Sequence, residues 1–216
     1  MGLLPLVFTT GWASGVNAYG VVLAMGLLGR LGLVHGAPPQ LGHTPVLAAA
    51  GAMFALEFVA DKIPYVDSAW DALHTVIRPP LAAVVAGLIG HDAAAAHTAG
   101  TLNTALAAVV GGGTALVSHL VKASLRLAVN TSPEPFSNIL ISLGEDLAAI
   151  LLVVLALAHP WVSAGIAATL LAVGALLAAA LFKLVRRGWR AVRNRRRRGG
   201  PQDAAVTAGA VRDASA

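Results

Sequence analysis

Residues 57–78 place seven ionisable side chains within 22 positions of a chain that is otherwise almost uniformly apolar. They are Glu57, Asp61, Lys62, Asp67, Asp71, His74 and Arg78. An apolar environment accepts so many charges only if they reach water or one another, so any fold must first provide for this stretch. The surroundings make the constraint severe: 57% of the 216 residues are hydrophobic, 12% are charged, and the mean hydropathy is +0.75. Those values belong to integral membrane proteins, in which charge near the bilayer is costly and marks function.

The net charge of +5 misleads until it is divided along the chain. Residues 183–198 carry nine Lys/Arg and no acid, whereas residues 57–146 hold eight acids against four Lys/Arg. The membrane core is therefore acidic and the basicity belongs to the tail. A basic run directly after a hydrophobic stretch reads as a stop-transfer anchor on the cytoplasmic side. The partners expected are the bilayer itself and anionic lipids at the basic tail. Nucleic acid is not expected, and a homo-oligomer is compatible with the sequence. The absence of cysteine excludes disulfides, thiolate metal sites and cysteine nucleophiles. The first residues lack the basic n-region of a cleavable signal peptide.

Residues 5–29 are long and apolar enough to span a bilayer, and a loop rich in Gly, Pro and His follows to residue 45. A second span covers residues 46–60. A third element starts near Asp67 and meets Pro79 and Pro80, which should break it and leave residues 81–89 as a half-span of roughly 13 Å. Residues 102–127 form a fourth element interrupted by Gly111, Gly112 and Gly113. Residues 132–158 and 161–182 supply the last two. The expected fold is all-α: one polytopic membrane helix bundle of about six helical elements with discontinuous helices. A three-plus-three inverted repeat is compatible with a broken element in each half. Residues 1–190 make the membrane domain and residues 191–216 a basic, disordered tail. Six crossings put both termini in the cytoplasm, together with the connections at 61–67 and 126–134. Lys62, Lys122 and Arg126 fit that assignment and Arg30 does not.

Asp67, Asp71, His74 and Arg78 fall on one helical stripe, with Val66, Trp70, Leu73 and Ile77 opposite. Such a row belongs either to a polar interior site or to a helix lying on the membrane surface with its charges in water. Glu57 and Asp61 are one turn apart, and Glu57, lying deeper, needs a partner or a water-filled cavity. His119, Lys122 and Arg126 form a basic row. Asn138, Ser142 and Glu145 share a face of the fifth span, with Asp146 beside them. Acids on some helices and bases on another point to internal ion pairs, for structure or for a site. In the first span, Gly11 and Gly15 offer a small-residue contact face and Asn17 a polar amide, for packing or for a ligand. Metal, phosphate and hydrolase motifs are absent, so neither a cofactor nor a metal site is expected.

Several blocks stand out together: residues 11–19 (GWASGVNAY), 61–71 (DKIPYVDSAWD), 74–79 (HTVIRP), 119–126 (HLVKASLR), 132–138 (SPEPFSN) and 142–146 (SLGED). Taken together they resemble a bacterial family of multi-spanning membrane proteins, domain of unknown function 4126, over roughly residues 5–185. The resemblance implies an integral membrane protein and brings no reaction or ligand with it.

The candidate binding residues are therefore Asn17, Glu57, Asp61, Asp67, Asp71, His74, Arg78, His119, Lys122, Arg126, Asn138, Ser142, Glu145 and Asp146. The leading expectation is transport or conduction of a small polar solute or ion, proton-coupled through Glu57, Glu145 or Asp146. One alternative is a membrane-embedded enzyme acting on a lipid head group, with Asp67, Asp71 and His74 at its centre. The other is a structural or assembly protein whose charges only pair internally.

Overall fold

The computed structural model describes residues 2–97, 103–130 and 135–199. Among them are six α-helices and no strand: α1 (Leu3–Arg30), α2 (Thr44–Ala60), α3 (Pro64–Ala95), α4 (Thr104–Val129), α5 (Pro135–Ala158) and α6 (Pro160–Gly199). A short 3-10 turn, Pro39–Gly42, lies between α1 and α2. Five of the six helices are long and apolar enough to cross a membrane, and α2 is a shorter apolar helix, so the protein is a multi-pass membrane protein. The chain divides into two units, residues 1–175 and 176–216. The first holds the core. The second contains the distal part of α6 with its basic run. The tail expected at 191–216 is helical as far as Gly199, and its remainder lies outside the described residues.

The helix interruptions differ from expectation. α3 passes through Pro79 and Pro80 without ending, so residues 81–89 are no separate half-span. α4 is likewise continuous through Gly111, Gly112 and Gly113. Those glycines bring helices together instead. A Cβ on Gly112 would lie 3.0 Å from the Pro79 carbonyl oxygen, and one on Gly111 would overlap the Ala86 methyl. α3 and α4 therefore pack in close antiparallel contact, from Gly90 beside Ala107 to Asp67 beside Arg126. Neither of the two breaks that suggested an inverted repeat is present.

The discontinuous helix is α1. Asn17 has φ −149° and ψ 93°, outside the helical region, between two helical halves. Its side-chain oxygen accepts from the backbone N–H of Gly20 at 2.7 Å, which caps the second half. The first half runs alongside α4, with Gly11 against Gly111 and Gly15 against Ala115 and Ser118. The second runs antiparallel to α2, with Gly20 near Phe54 and Gly26 near Leu47.

This break folds the chain back. Leu3 and Leu6 line one cavity of about 490 Å³ together with Gly36, Ala37, Pro39, Ile89 and Asp92. Gly29 lies against Ala37, where a Cβ on it would sit 3.0 Å from the alanine methyl. A straight helix would hold positions 3 and 29 about 39 Å apart, too far for both ends to reach that cavity. α1 is thus a re-entrant hairpin with its tip at Asn17. Its ends share one face of the bundle with the C-terminal end of α3, and the turn at residues 61–63 lies at the other. α1 therefore adds no crossing to the count expected, and the N-terminus lies opposite that turn rather than beside it.

Candidate functional site

The tip of the hairpin meets the ionisable residues of α2, α3, α4 and α5 in one buried centre. α3 contributes Asp67, Asp71, His74 and Arg78 because positions four, seven and eleven apart return to one helical face. All four are buried at 3% exposure or less, which corrects the surface-helix alternative. The exposed stripe is the apolar one, with Val66, Leu73 and Val76. A membrane helix turns its apolar face to lipid and its charges inward, so the amphipathic pattern is the inverse of a soluble one.

Arg78 is the hub. Its guanidinium bonds Glu57 directly, donates to the Gly15 carbonyl at 3.0 Å, and lies 3.6 Å from Asp71. It also lies 2.8 Å from Nδ1 of His119. A guanidinium only donates, so Nδ1 accepts and His119 is the neutral tautomer, with Nε2–H directed to the Asp71 carbonyl at 2.9 Å. His119 therefore acts as an acceptor for Arg78 and not as a third member of a basic row.

Lys122 donates to the Val16 carbonyl at 2.9 Å and to Asp61 at 3.3 Å, with Glu145 at 3.7 Å and Glu57 at 3.9 Å. Arg126 pairs with Asp67 at 2.9 Å, bonds the Asp61 and Asn138 carbonyls, and lies 4.0 Å from Glu145. The break in α1 has a direct part here. Gly15 and Val16 immediately precede Asn17, and their carbonyls accept from Arg78 and Lys122. Two backbone acceptors at a helix end thus stand in for solvent around two buried cations.

Asn17 completes the tip by donating its amide to Asp146 at 2.7 Å. Asp146 thus meets α1, Glu57 meets Arg78 of α3 with Lys122 of α4 farther off, and Glu145 lies nearest the two bases of α4. Asn138 donates to the Asp61 carbonyl at 3.2 Å, and Ser142 accepts from Lys62 at 3.3 Å. The Lys62 ammonium also sits 3.3 Å over the Phe58 ring, and desolvation lowers its pKa from the usual lysine value. His74 stands apart: Nδ1 donates to the Trp70 carbonyl at 2.8 Å and Nε2 accepts from the Tyr19 hydroxyl at 3.0 Å.

Asn130 and Tyr19 belong to the centre although charge patterning did not single them out. Asn130 donates to Asp67 at 2.6 Å from the residue that ends α4. Asparagine one turn beyond Arg126 was the available signal. Among the described residues, no three His, Cys, Asp or Glu side chains are grouped as metal ligands.

Two cavities open on this centre. One, about 310 Å³, is lined by residues of α1, α4, α5 and α6 and reaches Lys122 and Glu145. The other, about 160 Å³, lies between α3 and α4 and reaches Asp71 and Arg126.

The family model described as Domain of unknown function (DUF4126) matches residues 4–180, so the chain belongs to that family. No curated protein and no solved structure matches it.

Proposed function

We propose that the protein is a transporter for a small polar solute or ion, coupled to protons through Glu57, Glu145 and Asp146. The observation that carries this reading is the charge balance of the centre. Six carboxylates (Glu57, Asp61, Asp67, Asp71, Glu145 and Asp146) share three buried bases, Arg78, Lys122 and Arg126. Arg78 is shared by Glu57 and Asp71, Lys122 pairs with Asp61, and Arg126 pairs with Asp67. Even with the partly buried Lys62, which acts on Asp61 and Asp146, the carboxylates outnumber the bases. An unpaired charge in so dry a place costs several kcal/mol, and a bound proton removes that cost. Groups that must take or release protons as their surroundings change are what coupling requires.

The broken α1 supports the same reading, because helix ends placed inside a bundle present backbone dipoles to a substrate. The lipid-enzyme alternative draws no comparable support. His74 is engaged by Tyr19 and Trp70, and Asp67 by Arg126 and Asn130, so Asp67, Asp71 and His74 do not converge on one open position. We place the protein in a bacterial cytoplasmic membrane, with the basic run of residues 183–198 on the cytoplasmic face against anionic lipid.

The test is reconstitution into sealed liposomes holding a pH-sensitive dye, challenged with a panel of solutes under an imposed pH gradient. A solute-dependent change of internal pH that is lost in Glu57→Gln supports coupling. Folded protein that moves neither protons nor any solute of the panel refutes it.

A further inference from the structure

Resting on that reading, we propose that the cavity beside Glu145 takes an amphipathic organic cation, and that this solute and a proton exchange at the Glu145 carboxylate. At about 310 Å³ the cavity falls in the range of small-molecule sites. Its walls are apolar, with Trp12 from α1, Val121 and Leu125 from α4, Ile141 from α5, and Leu170 and Leu171 from α6. The charged residues lining it are Lys122 and Glu145.

The two are not equivalent. Lys122 is engaged by the Val16 carbonyl and by Asp61, both within 3.3 Å. The Glu145 side chain keeps 20% exposure, whereas the paired side chains around it lie at 5% or less. Its Oε2 makes no hydrogen bond, and its nearest cations stand 3.7 and 4.0 Å away, beyond hydrogen-bond range. A loosely held carboxylate beside an apolar cavity is matched by one positive charge on an apolar body. An anion would face the surplus of acid, and a neutral hydrocarbon would leave the carboxylate desolvated and unmatched.

The other ionisable groups facing Glu145 are fixed by the fold. They are Lys122 and Arg126 on α4, Asp61 on α2 with Glu57 behind Lys122, Asp71 on α3, and Asp146 beside it on α5. α1 and α6 line the cavity with Trp12, Val16, Leu170, Leu171 and Gly174, none of which titrates. The exchange is balanced: the protonated carboxyl gives its proton to water as the solute's cation takes its place against the carboxylate.

Tetraphenylphosphonium binding to the full chain in detergent tests this. Titration at pH 6, 7 and 8 should show tightening with pH, approaching tenfold per unit where Glu145 holds a proton, with about one proton released per cation bound. Glu145→Gln should lose at least tenfold in affinity and all pH dependence. Leu171→Trp, which fills the cavity from α6 without touching a charge, should block binding in a protein that still folds. Glu145→Asp keeps the carboxylate and should retain the pH dependence even if Glu145→Gln does not fold. Equal affinity at pH 6 and 8, an unchanged Glu145→Gln, or no binding by folded protein would overturn the proposal. Binding in detergent needs no transport, so its failure leaves coupled transport of another solute standing. Binding without flux would sink transport alone.

Discussion

α1 and α3 both reach the buried centre, and the sequence marks the wrong one for interruption. α3 carries two adjacent prolines and stays helical from Pro64 to Ala95. α1 has no proline near its middle and breaks at Asn17. The difference lies in what surrounds each position. Beside the Pro79 carbonyl stands Gly112, which has no side chain to satisfy a backbone group that a break would expose. Around Asn17 stand Arg78 and Lys122 as donors to freed carbonyls, and the asparagine itself as acceptor for a freed N–H. In a bilayer a helix breaks where polar side chains can take over its hydrogen bonds, whatever its local propensity.

The all-or-none way to break this comparison is topological. The chain lacks cysteine, so single cysteines at Gly2, Gly32 and Ile63 can be labelled from one face of intact cells or oriented vesicles. A folded-back α1 requires positions 2 and 32 to label from the same face and position 63 from the other. Labelling of 2 and 32 from opposite faces would make α1 an ordinary span.

Next in size is Arg78→Gln. It leaves Glu57 and Asp71 without their shared cation and should cost about 3–5 kcal/mol in detergent unfolding. Adding Glu57→Gln should recover part of that loss. Stability unchanged in the single variant would mean that water reaches the centre.

Asn17→Ala removes both the cap on Gly20 and the donor to Asp146, and should cost about 2–4 kcal/mol, a lost cap plus a lost hydrogen bond to a charged group. Gly15→Ala drives a methyl into Ser118 and the Ala115 carbonyl, an overpacking cost of about 1–3 kcal/mol. Gly113→Ala meets nothing within 4 Å and should be neutral or slightly stabilising, which separates close contact from helix propensity. The smallest effect is expected from replacing Pro79 and Pro80 together by alanine, within about 1 kcal/mol of neutral or stabilising, since alanine is the better helix former. A larger loss there than at Asn17 would invert the comparison.

Much of the fold was legible. Runs of apolar residues located all six helices, because a bilayer requires long apolar segments whatever their partners, although α6 continues past the apolar run to Gly199 and α3 to Ala95. The polar row of α3 followed from four residues at helical spacing, but only their burial showed that it faces inward rather than the membrane surface. The nearness of Glu145 to Lys122 and Arg126 was readable as charge complementarity, but Glu57 bonds Arg78 of α3, Asp146 goes to Asn17 and His119 serves Arg78. Composition alone could not choose among such partners, since amide, carbonyl and imidazole all compete for the same donors and acceptors.

The sequence by itself determined that this chain is a membrane-embedded helical bundle with an acidic interior and a basic end, because the bilayer and the cost of charge act on composition and order alone. Only the tertiary structure decided that the first helix turns back, that the triple glycine joins helices rather than breaking one, and how the six carboxylates share the bases. Those outcomes depend on distances of a few ångströms between residues as far apart as Asn17 and Asp146. Hydrogen bonds and ion pairs are short-ranged and mutually exclusive, so only the assembled bundle fixes which of them form.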